Sequence, residues 1–202
     1  MTDDTKLAPP GAGLPFFEGL YAKYVLFPRG MRKFDWKKSL DKLETETTRI
    51  IEYAKPLSVE AFLAPVLIDR IAGIEDSSRH WSVAMTIEHL IITMRGMTQI
   101  AETLAAGKDM NISVSTANVK PKGGNAVDKE MMLKTFRNAC DETVSRLQPW
   151  AAKASDKCRV AHPFFGSIPA QGWVWTLGEH QAVHRRQVAA ILEKRLNLFK
   201  SA

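Results

Sequence analysis

The sequence predicts an all-α protein: a four-helix bundle with a long crossover between its second and third long helices. Three observations predict it. Apolar residues recur at spacings of three, four and seven through four long stretches, the period of a helix with one buried face. No stretch alternates convincingly between apolar and polar residues, and Ile112-Ser113-Val114-Ser115 is too short to outweigh the helices. The segment from Gly107 to Val127, with Pro121 and Gly123-Gly124, is long for a plain connection and suits a crossover, a lid or a binding loop.

Taken in order, the first long helix is expected at 35–54, where Trp36, Leu40, Leu43, Ile50 and Ile51 form its stripe and Pro56 follows it. A short extra helix is expected at 58–71, capped by Ser58 and carrying Phe62, Leu63, Val66, Leu67 and Ile71. The second long helix, 82–106, starts at Ser82 and stops near Gly107; its broad stripe includes Val83, Ile87, Leu90, Met94, Ala101 and Leu104. The third, 128–152, starts at Asp128 and shows Met132, Phe136, Cys140, Leu147 and Trp150 on one face. The fourth, 170–199, carries Trp173, Leu177, His180, His184, Val188 and Ile191. Residues 1–34 form an N-terminal extension, expected to be partly disordered, whose weakly amphipathic part (Phe16, Phe17, Leu20, Tyr24, Phe27) would pack on the bundle or a second subunit. Residues 35–202 form the bundle domain.

Composition limits the function. The 202 residues are 45% hydrophobic and 25% charged, which suits one globular domain with a sizeable core. The polar N-terminus lacks the charged and apolar regions of a signal peptide. Glu88, His89, Arg95 and Glu102 in the most apolar helix argue against a membrane span. Cys140 and Cys158 are too few for a disulfide framework, so the cytoplasm is the expected compartment. The net charge of +6 raises the question of nucleic acid. Its basic clusters (Arg29, Arg32, Lys33, Lys37, Lys38; Arg185, Arg186, Lys194, Arg195, Lys200) come with no nucleic-acid module, and part of the second complements a helix C-terminus. Solvated surface is the reading, with neither nucleic acid nor membrane as partner.

The chemistry concentrates in histidine. His180 and His184 are one helical turn apart and project together, within the apolar stripe rather than the solvated face. Burying two imidazoles there is costly unless both find partners, and a metal supplies one partner to both. His89, from the second long helix, would complete a three-nitrogen cap with open positions, the mark of a catalytic or ligand-binding site rather than a closed structural one. Three imidazoles suit Zn, Ni, Fe or Cu over Mg or Ca. The competing reading makes each a hydrogen-bonded core histidine, and Gln181 stands where a zinc protease would carry Glu. Thr93 and Gly96, small residues on the column of His89, are candidates to line a cleft beside it. His162, which opens His162-Pro163-Phe164-Phe165-Gly166, is a candidate fourth ligand, acid–base group or turn anchor, and its Pro and Gly favour the anchor. His80 is expected exposed or capping, and no phosphate loop or nucleophile triad is present.

These residues resemble a known family. Trp81-Ser82-x6-His89-Leu90, the His162-Pro163-x-x-Gly166 turn and His180-x3-His184-x2-Gln187 are similar to the DinB-like (YfiT-like) four-helix-bundle metalloenzymes, over about residues 35–198. The resemblance implies a divalent metal, commonly nickel or zinc with iron as a further candidate, on His89, His180 and His184. It also brings Gln187 in as a candidate cleft residue. Some relatives are transferases or isomerases that use mycothiol, bacillithiol or glutathione; others have no established reaction. The implied function is a metal-dependent thiol S-transferase or related enzyme, a hydrolase included, acting on a small molecule. The alternative is a non-catalytic metal- or ligand-binding bundle in stress response or sensing. A homodimer is a candidate assembly. The extension and the short extra helix depart from the minimal family pattern.

Overall fold

In the computed structural model, residues 6–122 and 128–200 are described, with side chains to 197. An irregular stretch with a turn at Pro9–Ala12 leads into a helical rod made of α1 (Phe16–Tyr21), a π turn (Ala22–Leu26) and α2 (Phe27–Arg32). Pro28 explains the wide turn: it has no N–H to return to the preceding turn, and its ring pushes that turn open. Helix α3 (Trp36–Ala54) follows, then α4 (Val59–Leu63), strands β1 (Val66–Leu67) and β2 (His80–Trp81), and α5 (Val83–Ala105). The second half holds α6 (Lys129–Leu147), strands β3 (Val160–His162) and β4 (Gly166–Ile168), and α7 (Ala170–Lys200).

Helix starts follow local chemistry. The side chains of Asp35, Ser58, Ser82 and Asp128 each accept from the backbone N–H three residues on, satisfying a donor that the helix leaves free. Gly107, at φ 73°, ends α5 in a conformation that a side chain would strain.

Cross-helix contacts fix the topology. Lys42 pairs with Glu179 at 2.7 Å and Arg185 with Glu46, so α3 and α7 run parallel. Thr98 bonds Thr143 at 2.8 Å and Arg146 pairs with Glu102 at 2.6 Å, so α5 and α6 are parallel too. Trp36 Nε1 donates to the Leu147 carbonyl and Arg137 to Thr48, which sets α3 antiparallel to α6. Two consecutive parallel helices require a connection that travels back along the bundle. The segment after Gly107 does so, which is the expected crossover. Leu43, Ile50, Ile87, Leu90, Phe136, Leu147, Val188 and Ile191 fill the space between the four helices and are wholly buried.

Two local features differ from the sequence reading. The short extra helix, expected to reach 71, ends at Leu63: Pro65 pushes Ala64 out of helical geometry (ψ 121°), and the chain continues as β1 paired with β2. The aromatic turn at His162–Gly166 is a β3–β4 hairpin with His162 opposite Gly166. The extension is helical over 16–32 and packs on the bundle. There Phe27 stacks on Phe165 at 5.1 Å and meets Trp175 edge-on at 5.6 Å. Residues 1–5 lie outside the described residues.

Candidate metal centre

His89 lies in the second turn of α5, which Ser82 starts, and His180 and His184 lie one turn apart on α7. These two helices pack together, and each of the three histidines offers a ring nitrogen within 4.8 Å of the others. The Nε2 atoms of His89 and His180 are 3.3 Å apart. The ring centroids are separated by 4.5–5.1 Å.

The outer nitrogens decide what the inner ones can do. His89 Nδ1 is 2.7 Å from the carbonyl of Val119, which can only accept, so His89 carries its proton on Nδ1. Gln187 Nε2 donates to the Ser78 carbonyl at 2.7 Å, which leaves its Oε1 facing His184 Nδ1 at 2.6 Å. That nitrogen must donate as well. In both rings Nε2 is therefore left as a bare lone pair, the state in which a neutral imidazole ligates a metal. Burial holds all three rings neutral: it lowers His89 to about 4, against an upward pull from Val119, and His180 and His184 well below the ordinary value, helped by neighbouring histidines. Buried lone pairs converging without an acidic residue among them fit a divalent cation of the imidazole-binding kind.

A polar network supports the cluster. Trp81 stacks on His184 at 6.2 Å and 7°, and lies against His89. Lys120, from the crossover, sits 5.3 Å over that indole, pairs with Glu75 at 2.7 Å and donates to Ser78 Oγ at 2.8 Å. Burial pushes the Glu75 carboxyl up, but bonds from Lys120, Thr116 and Gly11 outweigh it and hold the group below the usual carboxylate range. The segment around Ser78 thus holds both Gln187 of α7 and the crossover in place.

Beside the triad opens a cavity of about 340 Å³, walled by α5, α7, the crossover, the hairpin and the extension. Its lining is chiefly apolar, including Ile92, Met97, Ile100, Phe164, Trp173 and Trp175.

The profile of the DinB superfamily matches residues 31–188. The chain belongs to this superfamily. No curated protein matches it. Among solved structures it is similar to TT2238, a four-helix bundle protein (TM-score 0.52, 20% identity, covering 77% of this chain and 98% of that one). It is also similar to a mycothiol-dependent maleylpyruvate isomerase (TM-score 0.54, 15% identity), covering 79% of this chain and 62% of the isomerase. At such identities the likeness is one of fold.

In this DinB-superfamily chain, Thr93 and Gly96 line the cavity, and a Cβ on Gly96 would meet open space. Gln187, expected in the cleft, is instead wholly buried behind His184 and positions that ring, because its two amide ends are taken by Ser78 and His184. His162 also faces the cavity but stands apart from the triad. Its Nδ1 accepts from the Phe164 N–H at 3.1 Å and its ring stacks on Phe165 at 4.5 Å, the arrangement of a turn anchor. His80 is exposed on β2. Val119, Glu75 and Lys120 went unread in the sequence; a backbone carbonyl on a crossover loop leaves no signature in residue type. Among the described residues no helix is long and apolar enough to cross a membrane.

Proposed function

We propose that His89, His180 and His184 hold a divalent ion, nickel or zinc before iron, and that the protein is a metal-dependent enzyme joining a low-molecular-weight thiol to a small electrophile or isomerising their adduct. One observation carries the reading: Val119 and Gln187 fix Nδ1–H on two rings and leave their Nε2 lone pairs for one shared partner. A hydrogen-bonded core histidine needs no such second partner; here the ring nitrogens of the three histidines converge within ligating distance of one point.

A divalent ion there would supply Lewis acidity, lowering the pKa of a thiol or water that reaches it. The protein's own groups do the rest. Burial keeps the imidazoles neutral at physiological pH, so their lone pairs stay available. The carbonyl of Val119 and the amide of Gln187 orient the rings and raise their basicity. The cavity admits a second molecule beside His89 and His180 and limits water around it. A fold neighbour named for its use of mycothiol supports the choice of a thiol.

The test has two stages. Elemental analysis of the purified protein should find about one divalent ion per chain. Conjugation assays with mycothiol, bacillithiol and glutathione against a panel of electrophiles should then show metal-dependent turnover. Full metal occupancy without turnover on any pair would replace the enzyme reading with that of a binding or sensing bundle.

A further inference from the structure

The cavity beside the triad has walls of two origins. Thr93, Gly96 and Met97 of α5 and Thr176 of α7 belong to the bundle, whereas Leu14, Ala22 and Leu26 come from the extension, ahead of the family-matched residues. The second wall is tied down along its length. Asp76 accepts from the Ala8 N–H at 2.7 Å, Glu75 from Gly11 and Gly13 at 3.3 and 3.0 Å, and Glu18 from Gly73 while pairing with Arg70. At its far end Gly30 seats directly against Trp175, where a Cβ would collide with the indole. A wall held at so many points keeps one shape, and shape selects among ligands.

Charge does not ask for a charged ligand. Of the ionic residues in the lining, Lys120 is committed to Glu75 and Glu179 to Lys42, each at 2.7 Å. Arg186 is exposed at the rim and donates to the Ala72 carbonyl. Apart from the histidines and a few hydroxyl side chains such as Thr93 and Thr176, what remains is aliphatic and aromatic surface, which gains by exchanging water for an apolar body.

We propose that this cavity takes a neutral small molecule with an apolar, ring-bearing body, and that Leu14, Ala22 and Leu26 of the extension set which bodies fit. The proposal rests on the metal-enzyme reading for the role of the adjoining triad, but its test does not require the metal.

The full-length protein, as purified and after chelator treatment, is titrated with N-phenylnaphthylamine, a neutral aromatic fluorophore. Saturable binding is expected in both preparations. Leu26→Asp, which puts a charge on the wall, should weaken binding by about tenfold or more. Ala22→Leu adds bulk without charge and should weaken it as well, which keeps the test decisive if Leu26→Asp merely loosens the extension. Phe17→Asp, on an extension residue that is 82% exposed and outside the cavity lining, should bind like the wild type. Absence of saturable binding to the wild type, or wild-type affinity in both wall variants, would overturn the proposal. Binding by a protein that elemental analysis finds free of metal as purified, before any chelator, would defeat the metal reading and leave this one standing; a fully loaded protein that binds no probe would do the reverse.

Discussion

His162 on one side of the cavity, and His89 with His184 on the other, are comparably buried yet hold their protons on opposite nitrogens. Phe164 N–H donates to His162 Nδ1, so the neutral ring carries its hydrogen on Nε2. Val119 and Gln187 accept from the Nδ1–H of His89 and His184, so those rings present bare Nε2 atoms. Burial alone therefore does not separate a structural histidine from a ligand. The group behind the ring does, by choosing which nitrogen is left free.

The comparison breaks most sharply at Gln187. Gln187→Leu removes the acceptor that fixes the His184 tautomer and leaves the Ser78 carbonyl without its partner. Metal affinity is expected to fall by about 10–100-fold, with a stability loss of about 1–3 kcal/mol from the unpaired buried carbonyl. Competition titration against a chelator reads the first and thermal melting the second. Unchanged affinity would mean that the amide does not set the ring's role.

A smaller, more selective effect is expected at Gly96. Because a Cβ there meets open space, Gly96→Leu should fill the cavity without strain, retain metal and melt like the wild type while losing ligand binding or turnover. A marked drop in melting temperature, with normal ligand binding in the folded fraction, would assign Gly96 to helix packing instead.

The mildest test concerns His162 and acid. Burial holds its pKa down to about 3, against an ordinary 6.5. Above pH 6.5 neither the folded nor the unfolded chain protonates it, and its contribution to stability is complete. As pH falls from 6.5 towards 3, the unfolded chain takes up a proton that the folded chain refuses, and stability declines. His162→Asn offers an amide oxygen to the Phe164 N–H and cannot titrate there. In denaturant melts between pH 3 and 6.5, it should remove about one proton's worth of the slope while leaving metal content unchanged. A slope equal to that of the wild type would show that His162 is not held neutral by the fold.

Much of this arrangement was legible in the sequence because it rests on period and spacing. The four long helices follow from their stripes, and the crossover from a connection too long for neighbours that alternate in direction. His180 and His184 meet because residues four apart share a helix face. What escaped depends on tertiary contact. The β3–β4 hairpin is too short to show alternation. Pro65 ends α4, yet the apolar residues after it imitate a continuing helical stripe. Gln187 lies on the histidine side of α7, and only the position of the Ser78 carbonyl shows that it points behind the site rather than into it. The extension's helical spacing was visible, but its place as a cavity wall depends on Glu75 and Asp76, far along the chain.

Metal content of the purified protein and four variants tests the central claim most directly. The wild type and His162→Asn are expected to carry about one divalent ion per chain, whereas His184→Ala, His180→Ala and His89→Ala should lose it, because two imidazoles hold such an ion poorly. Full occupancy in any two of the three alanine variants, or loss of metal in His162→Asn with the fold intact, would contradict the account.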